Sequence, residues 1–299
     1  MSTLKLQGIL PAAVTPFDAH ERFAPEPFAA LLESLYAAGV DGVYVCGGTG
    51  EGLLQTVDQR KLVAEAAVRL SPPGKHVIVH VGSHRTADAV ELAEHAGRIG
   101  AAAVSALPPL GSYSFGEVRA YYEAIATASS IPLLVYFFPT AYPGVNTLAQ
   151  VLDLCEIPNV AGLKYTDHDL GRMRILKQSG VTLFNGYDEV LSLGLLMGAD
   201  GGIGTFYNVI PELFVEMYRH ARRGEWEAAR GVQDAVNTVI SIALQFPCFP
   251  AVKQMLRWRG IDCGECIRPR GGLTTSQSAE LRRQLDACGV PWLRAVSRA

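Results

Sequence analysis

Apolar runs recur along this chain from end to end, and most are continuous rather than alternating. They fall at 8–14, 42–46, 76–81, 102–106, 132–137, 160–164, 181–184 and 201–204. A strand covered on both faces buries every side chain, so continuous runs of this length predict a parallel sheet wrapped by other elements. Between the runs lie segments with helical spacing. Phe28, Leu31, Leu32 and Leu35 share one face, and Leu62, Ala66 and residues 68–70 predict a second. Residues 89–99, 118–128 and 148–155 continue the series. Eight strands, each followed by a helix over roughly 220 residues, match the count and size of a (β/α)8 barrel. A doubly wound sheet, the alternative, would place Gly-x-Gly-x-x-Gly after its first strand, and residues 11–16 read Pro-Ala-Ala-Val-Thr-Pro. Past about Arg222 the strand-like runs stop, and 225–246, 249–258 and 276–288 read as helices. The expected organisation is α/β: a (β/α)8 TIM barrel over 1–222 and a C-terminal helical extension over 223–299.

Composition narrows the class without naming a chemistry. The 299 residues are 49% hydrophobic and 18% charged, with 26 Lys+Arg against 29 Asp+Glu and a net charge of −3. That apolar content excludes a disordered chain, and balanced charge gives no field that would draw nucleic acid or anionic membrane. The best candidate for a membrane span, 131–145, is broken by Pro132, Pro139 and Pro143. The first residues lack the basic head and apolar stretch of a signal peptide, so a cytoplasmic protein is expected. Six cysteines in a chain this long make no disulfide framework. Cys263 and Cys266 form a single C-x-x-C without a second pair or a nearby histidine, which reads as two reduced thiols in a loop. His80 and His84 straddle a strand and its loop rather than sharing a helix face, so no metal site is expected.

In a barrel the chemistry gathers at the C-terminal ends of the strands. Five of the eight predicted exits carry reactive or hydrogen-bonding groups. Lys164 is one of only six lysines and closes the apolar run 160–164. An ammonium there is partly desolvated, which favours the neutral amine, a nucleophile suited to a ketone. The position equally suits a lysine whose stem packs while its head reaches water. Tyr136 could relay protons beside it, or could be a core aromatic with its hydroxyl satisfied locally. Residues 47–51, Gly-Gly-Thr-Gly-Glu, let backbone approach a ligand, and Thr49 adds a hydroxyl suited to a carboxylate. A plain glycine turn would look the same. Asp188 and Glu189 could accept bonds from sugar hydroxyls, or could cap the next helix and favour its dipole.

Taken together, these motifs resemble the N-acetylneuraminate lyase and dihydrodipicolinate synthase family of Schiff-base, class I aldolases. The resemblance runs over roughly residues 7–290 and rests on Gly-Thr-Gly-Glu at 48–51, Tyr-x-x-Pro at 136–139 and Gly-Leu-Lys at 162–164. Residues 185–189 (Asn-Gly-Tyr-Asp-Glu), 198–208 and 104–106 are similar to the N-acetylneuraminate lyase branch. The synthase branch typically places an arginine shortly after Tyr-x-x-Pro, and here the run continues Thr-Ala-Tyr. Two positions depart from the family: Gly48 stands where a Ser or Thr is usual, and the loop after strand four is shortened with only Tyr113 available.

The resemblance implies that Lys164 forms an imine with a 2-oxo acid whose carboxylate sits on Gly48 and Thr49. It implies that Tyr136 passes the proton from the C4 hydroxyl. Thr166, Asp188, Glu189 and Thr205 would then read the aldehyde portion, with Gly186 leaving room for it. It further implies a homotetramer and no cofactor beyond the imine itself. The substrate it points to is N-acetylneuraminate, cleaved to N-acetylmannosamine and pyruvate. Alternatives are another 2-oxo sugar acid aldolase or dehydratase, the synthase, and a non-catalytic binding protein on the same scaffold.

Overall fold

The computed structural model describes residues 6–292. Its strands are β1 (Gly8–Pro11), β2 (Gly42–Val45), β3 (His76–His80), β4 (Ala103–Ala106), β5 (Leu133–Phe137), β6 (Val160–Tyr165), β7 (Thr182–Asn185) and β8 (Gly201–Gly204). Each is followed by a helix: α1 (Pro25–Ala37), α2 (Val57–Leu70), α3 (Thr86–Arg98), α4 (Phe115–Ala128), α5 (Leu148–Cys155), α6 (Leu170–Gln178), α7 (Leu191–Leu196) and α8 (Pro211–Arg222). The strands pair in parallel in the order β1-β8-β7-β6-β5-β4-β3-β2. The remaining seam, β1 to β2, is closed by an Ala12–Tyr44 bridge and by the Ala13 N–H donating to the Tyr44 carbonyl at 2.8 Å. This is a TIM barrel.

Alternation along the strands sorts the apolar residues into two cores. Leu10, Tyr44, Ile78, Ala103, Leu134, Phe184 and Ile203 fill the inside of the barrel. Their strand neighbours, among them Ile9, Val43, Val79, Val104, Val135, Leu163 and Leu183, pack outward against the helices. The Phe28, Leu31, Leu32 and Leu35 stripe is fully buried on α1, as its spacing predicts. The stripe expected on α2 is corrected. Its buried face is Arg60, Val63, Ala64, Ala66 and Ala67, while Leu62 lies on the far side and is 55% exposed. Small alanines let α2 approach the strands closely, so the larger leucine does not mark the inner face.

The chain continues into α9 (Trp226–Ala243), α10 (Cys248–Trp258) and α11 (Thr275–Ala287). These helices grip the barrel through polar contacts as well as apolar ones. The Gln233 amide on α9 donates to the Asp188 carbonyl at 3.0 Å and accepts from the Ser192 N–H at 2.9 Å, and Asn237 donates to the Glu189 carbonyl at 3.1 Å. Cys263 and Cys266 are free, buried thiols in the loop after α10. Among the described residues no single helix is long and apolar enough to cross a membrane.

Candidate active site

Lys164 and Tyr136 are paired residues of adjacent strands, β6 and β5, so their side chains leave the sheet side by side into the barrel mouth. Lys164 is only 5% exposed. Its Nζ lies 3.9 Å from the centroid of the Tyr136 ring and 4.8 Å from that of Tyr44. The salt bridges made by lysines among the described residues belong to Lys61, Lys177 and Lys253; Lys164 makes none. An amine held against two aromatic faces, without a carboxylate, keeps its lone pair free for chemistry whenever it is neutral.

The aromatic cradle is fixed from behind by His80. Its ring meets Tyr136 edge-on at 6.3 Å and Tyr44 at 6.2 Å. His80 Nδ1 lies 3.2 Å from the Cys46 carbonyl, and Nε2 accepts from the Leu107 N–H at 3.2 Å. A ring that donates on one side and accepts on the other is neutral and protonated at Nδ1. Burial, reinforced by the charges of Arg60 and Lys164, holds its pKa well below the usual histidine range. Arg60 is itself buried on α2 and donates to the carbonyls of His80 at 2.6 Å and Gly82 at 3.0 Å. One imidazole thereby ties together the exits of β2, β3 and β4.

The glycine-rich loop after β2 begins and ends in left-handed backbone, with φ of 60° at Cys46 and 55° at Glu51. Thr49 is buried, and its hydroxyl meets that of Thr205, after β8, at 2.7 Å. Gly48 is exposed, and a Cβ built there would meet nothing within 4 Å. The hydroxyl missing at this position therefore leaves open space rather than a filled contact.

Asp188 and Glu189 lie in a short helical turn after β7. Asp188 caps no helix. Its carboxylate crosses to the β8 exit and accepts the Phe206 N–H at 2.7 Å. Gly204 permits that approach, since a Cβ there would stand 1.9 Å from Asp188 Oδ1. Burial raises the Asp188 pKa to about 7; the Phe206 N–H opposes the rise, Glu189 adds to it and Lys164 opposes it. Thr166 Oγ1 is buried without a partner, and a Cβ at Gly186 would stand 2.0 Å from it. The space a side chain at residue 186 would need is therefore taken up by Thr166 itself. Tyr187 stacks on His168 at 4.2 Å and meets Phe138 edge-on at 6.1 Å, extending an aromatic wall outward from Tyr136. Tyr113 is 41% exposed on the shortened loop. Among the described residues no three His, Cys, Asp or Glu side chains gather as a metal site.

The mouth thus contains Lys164 and Thr166 at the exit of β6 beside Tyr136 of β5, Gly186, Asp188 and Glu189 after β7, and Thr49 and Thr205 joined by a hydrogen bond. Sequence reasoning overlooked Tyr44, Arg60, Lys253, Gln233 and Asn237, and assigned His80 no role. For Tyr44 and His80 the available signal was parity, since both share the inward register of their strands with Tyr136 and Lys164.

A barrel carrying this mouth belongs to a recognisable class of enzyme, the pyruvate-dependent class I aldolases and lyases. The chain belongs to the dihydrodipicolinate synthetase family, which matches residues 5–288. It is 36% identical over 303 residues to the N-acetylneuraminate lyase of Rhizobium meliloti (strain 1021), covering 99% of each chain. Among solved structures, the wild-type sialic acid aldolase of Ruminococcus gnavus superposes with a TM-score of 0.90 at 28% identity, over 94% of this chain and 96% of that one. A prophage protein of the dihydrodipicolinic acid synthase family from E. coli K12, in complex with pyruvate, also gives 0.90, at 25% identity over 95% and 99%.

Proposed function

We propose that this enzyme cleaves N-acetylneuraminate to N-acetylmannosamine and pyruvate through an imine on Lys164. The observation that carries the reading is the buried Lys164 amine, set on the Tyr136 ring with no carboxylate in salt-bridge contact among the described residues. The open-chain substrate places its C1 carboxylate on Thr49 and the backbone of Gly48. The Lys164 Nζ lone pair attacks the C2 ketone, and the carbinolamine takes up a proton and loses water to give the protonated imine. Tyr136 relays the proton of the C4 hydroxyl, accepting it as its own phenolic proton passes on to solvent, while the C3–C4 bond breaks and its electron pair moves into the iminium to form an enamine. The aldehyde leaves, C3 is reprotonated, and water hydrolyses the imine to pyruvate and the free lysine. The iminium serves as the electron sink throughout.

Specificity for the sugar portion falls to the residues that follow β6, β7 and β8. Thr166 Oγ1 and the buried Asp188 carboxylate are polar groups whose hydrogen-bonding capacity the protein leaves partly unused, and Thr205 and Glu189 flank them. Similarity to N-acetylneuraminate lyase over the full chain supports the sugar acid named here. Gly48 favours a second reading, an aldolase for a different 2-oxo sugar acid, because the empty space beside it changes the seat of the carboxylate end. The assembly proposed is a homotetramer, with the exposed Leu53, Leu54 and Leu110 on the loops after β2 and β4 as apolar surface for it to cover.

Borohydride reduction in the presence of pyruvate, followed by peptide mass mapping, tests the chemistry: the adduct is expected on Lys164. Pyruvate release from a panel of 2-oxo sugar acids tests the substrate. Inactivity on N-acetylneuraminate, together with turnover of another member, would transfer the assignment to the second reading.

A further inference from the structure

We infer that Glu51 is a positioning residue: its buried carboxylate fastens the carboxylate-seating loop to the C-terminal extension and so sets where Thr49 stands. The inference rests on the reading of that loop given above. The Glu51 side chain is 0% exposed, and each polar partner it has lies in the extension. Lys253 Nζ on α10 approaches Oε1 at 3.0 Å, while the Ile267 N–H at 3.0 Å and Arg270 Nη1 at 3.4 Å reach Oε2. Lys253, 4% exposed, also donates to the Glu265 carbonyl at 2.8 Å and faces the Phe17 ring at 4.5 Å. Both oxygens thus face the extension, Oε2 through hydrogen bonds and Oε1 through the Lys253 charge alone.

The loop needs such a fastening. Thr49 has glycine on both sides, at 48 and 50, with a third at 47, and glycines by themselves fix no direction. The loop is held at its ends instead. Cys46, at φ 60°, is the carbonyl that His80 contacts. Glu51, at φ 55°, is locked by the three contacts above. Between them Gln55 donates to the Gly50 carbonyl at 2.7 Å. A non-glycine residue persists in left-handed backbone only where its surroundings over-determine it, and such residues cluster where a site must be held in shape. A buried ion pair is also a poor way to gain stability alone, since an apolar pair of equal volume commonly does as well. What it supplies here is direction, carried from the helical extension into the barrel mouth.

The test uses the full chain, comparing the wild type with Glu51→Gln, Lys253→Met and the double variant. For each, the pyruvate concentration giving half-maximal borohydride labelling of Lys164 is measured beside the melting temperature. Both single variants should need about tenfold more pyruvate, the equivalent of one misaligned hydrogen bond, while reaching the wild-type labelling plateau. The double variant, freed of an unpaired buried charge, should recover melting temperature without recovering pyruvate affinity. That split is what a merely structural role cannot produce. Variants that melt lower yet label at the wild-type concentration overturn the inference, as does affinity that returns with stability in the double variant. A wild type that pyruvate does not label overturns the functional reading, and this inference with it.

Discussion

Two lysines at opposite ends of the same barrel show what separates its mouth from its base. Lys177, at the end of α6, reaches the N-terminal side of the sheet, where Nζ donates to Asp200 at 2.6 Å and to the Val181 carbonyl at 3.0 Å. Asp200 also accepts the Leu183 N–H at 2.9 Å. Cation and carboxylate satisfy each other there. Lys164, at the C-terminal end of β6, has aromatic rings where Lys177 has a carboxylate. Asp188, near the same mouth, accepts a backbone N–H from Phe206 but has no salt-bridge partner among the described residues. Burying a polar group without a full set of partners is costly, so two such groups at one end of a barrel point to where a ligand would supply the missing contacts.

The comparison breaks first at the amine. Lys164→Met should abolish borohydride labelling and lower turnover by at least about a thousandfold, because no other group can form the imine. The same variant should melt no lower than the wild type, since a thioether fills the space without an unpaired charge. A large loss of melting temperature would mean that Lys164 is a structural lysine like Lys177. Tyr136→Phe comes next. It should lower kcat by about a hundredfold, within the range for losing a proton-transfer group. Pyruvate labelling should survive in it, because imine formation still has its amine.

Much of this contrast could be anticipated from residue order alone. Continuous apolar runs announce strands buried on both faces, and the polar groups that punctuate their ends announce the mouth; Lys164 and Tyr136 are visible by that logic. What escaped was anything depending on approach across the sheet. Tyr44 looks like one more apolar residue until the barrel closes and brings its ring to Lys164. Arg60 sits on a helix whose periodicity suggested a different inner face, with Leu62 in it. Lys253 lies more than two hundred residues from Glu51 in the chain, in a helix that reads as ordinary amphipathic packing. Asp188 was readable as a cap or as a ligand group, and only the Phe206 contact decides against the cap.

Asp188 sharpens the comparison through pH. Its folded pKa of about 7 lies above the ordinary 3.8. Between those values the folded chain holds a proton that the unfolded chain has released, so stability falls as pH rises through that window and levels off above it. Asp188→Asn should remove this slope, which urea denaturation at several pH values can measure as a difference between the two proteins. His80 acts in the opposite sense. Its depressed pKa costs stability as pH falls below about 6.5, and that slope remains in the Asp188 variant. For catalysis, Asp188→Asn should raise KM for the sugar acid about tenfold, the scale of one altered polar contact in a pocket. Half-saturation by pyruvate should stay at its wild-type value. A parallel rise for both ligands would place Asp188 at the carboxylate end and not with the sugar.

The smallest effect on activity is expected at the base, and it is the control for all the others. Lys177→Met leaves Asp200 with the Leu183 N–H and no cation. The Lys177 and Asp200 side chains are 22% and 15% exposed, so water replaces part of the lost contact but not all of it. The expected cost is about 1–3 kcal/mol of folding stability, the range for stranding a hydrogen-bonded group out of water. The value of kcat/KM should remain within about twofold of wild type, as for a site distant from the reacting atoms. If turnover falls with stability, the barrel transmits strain from its base to its mouth, and the two lysines differ in degree rather than in kind. If stability falls alone, the division holds: the base satisfies its charges internally, and the mouth leaves Lys164 and Asp188 for the substrate.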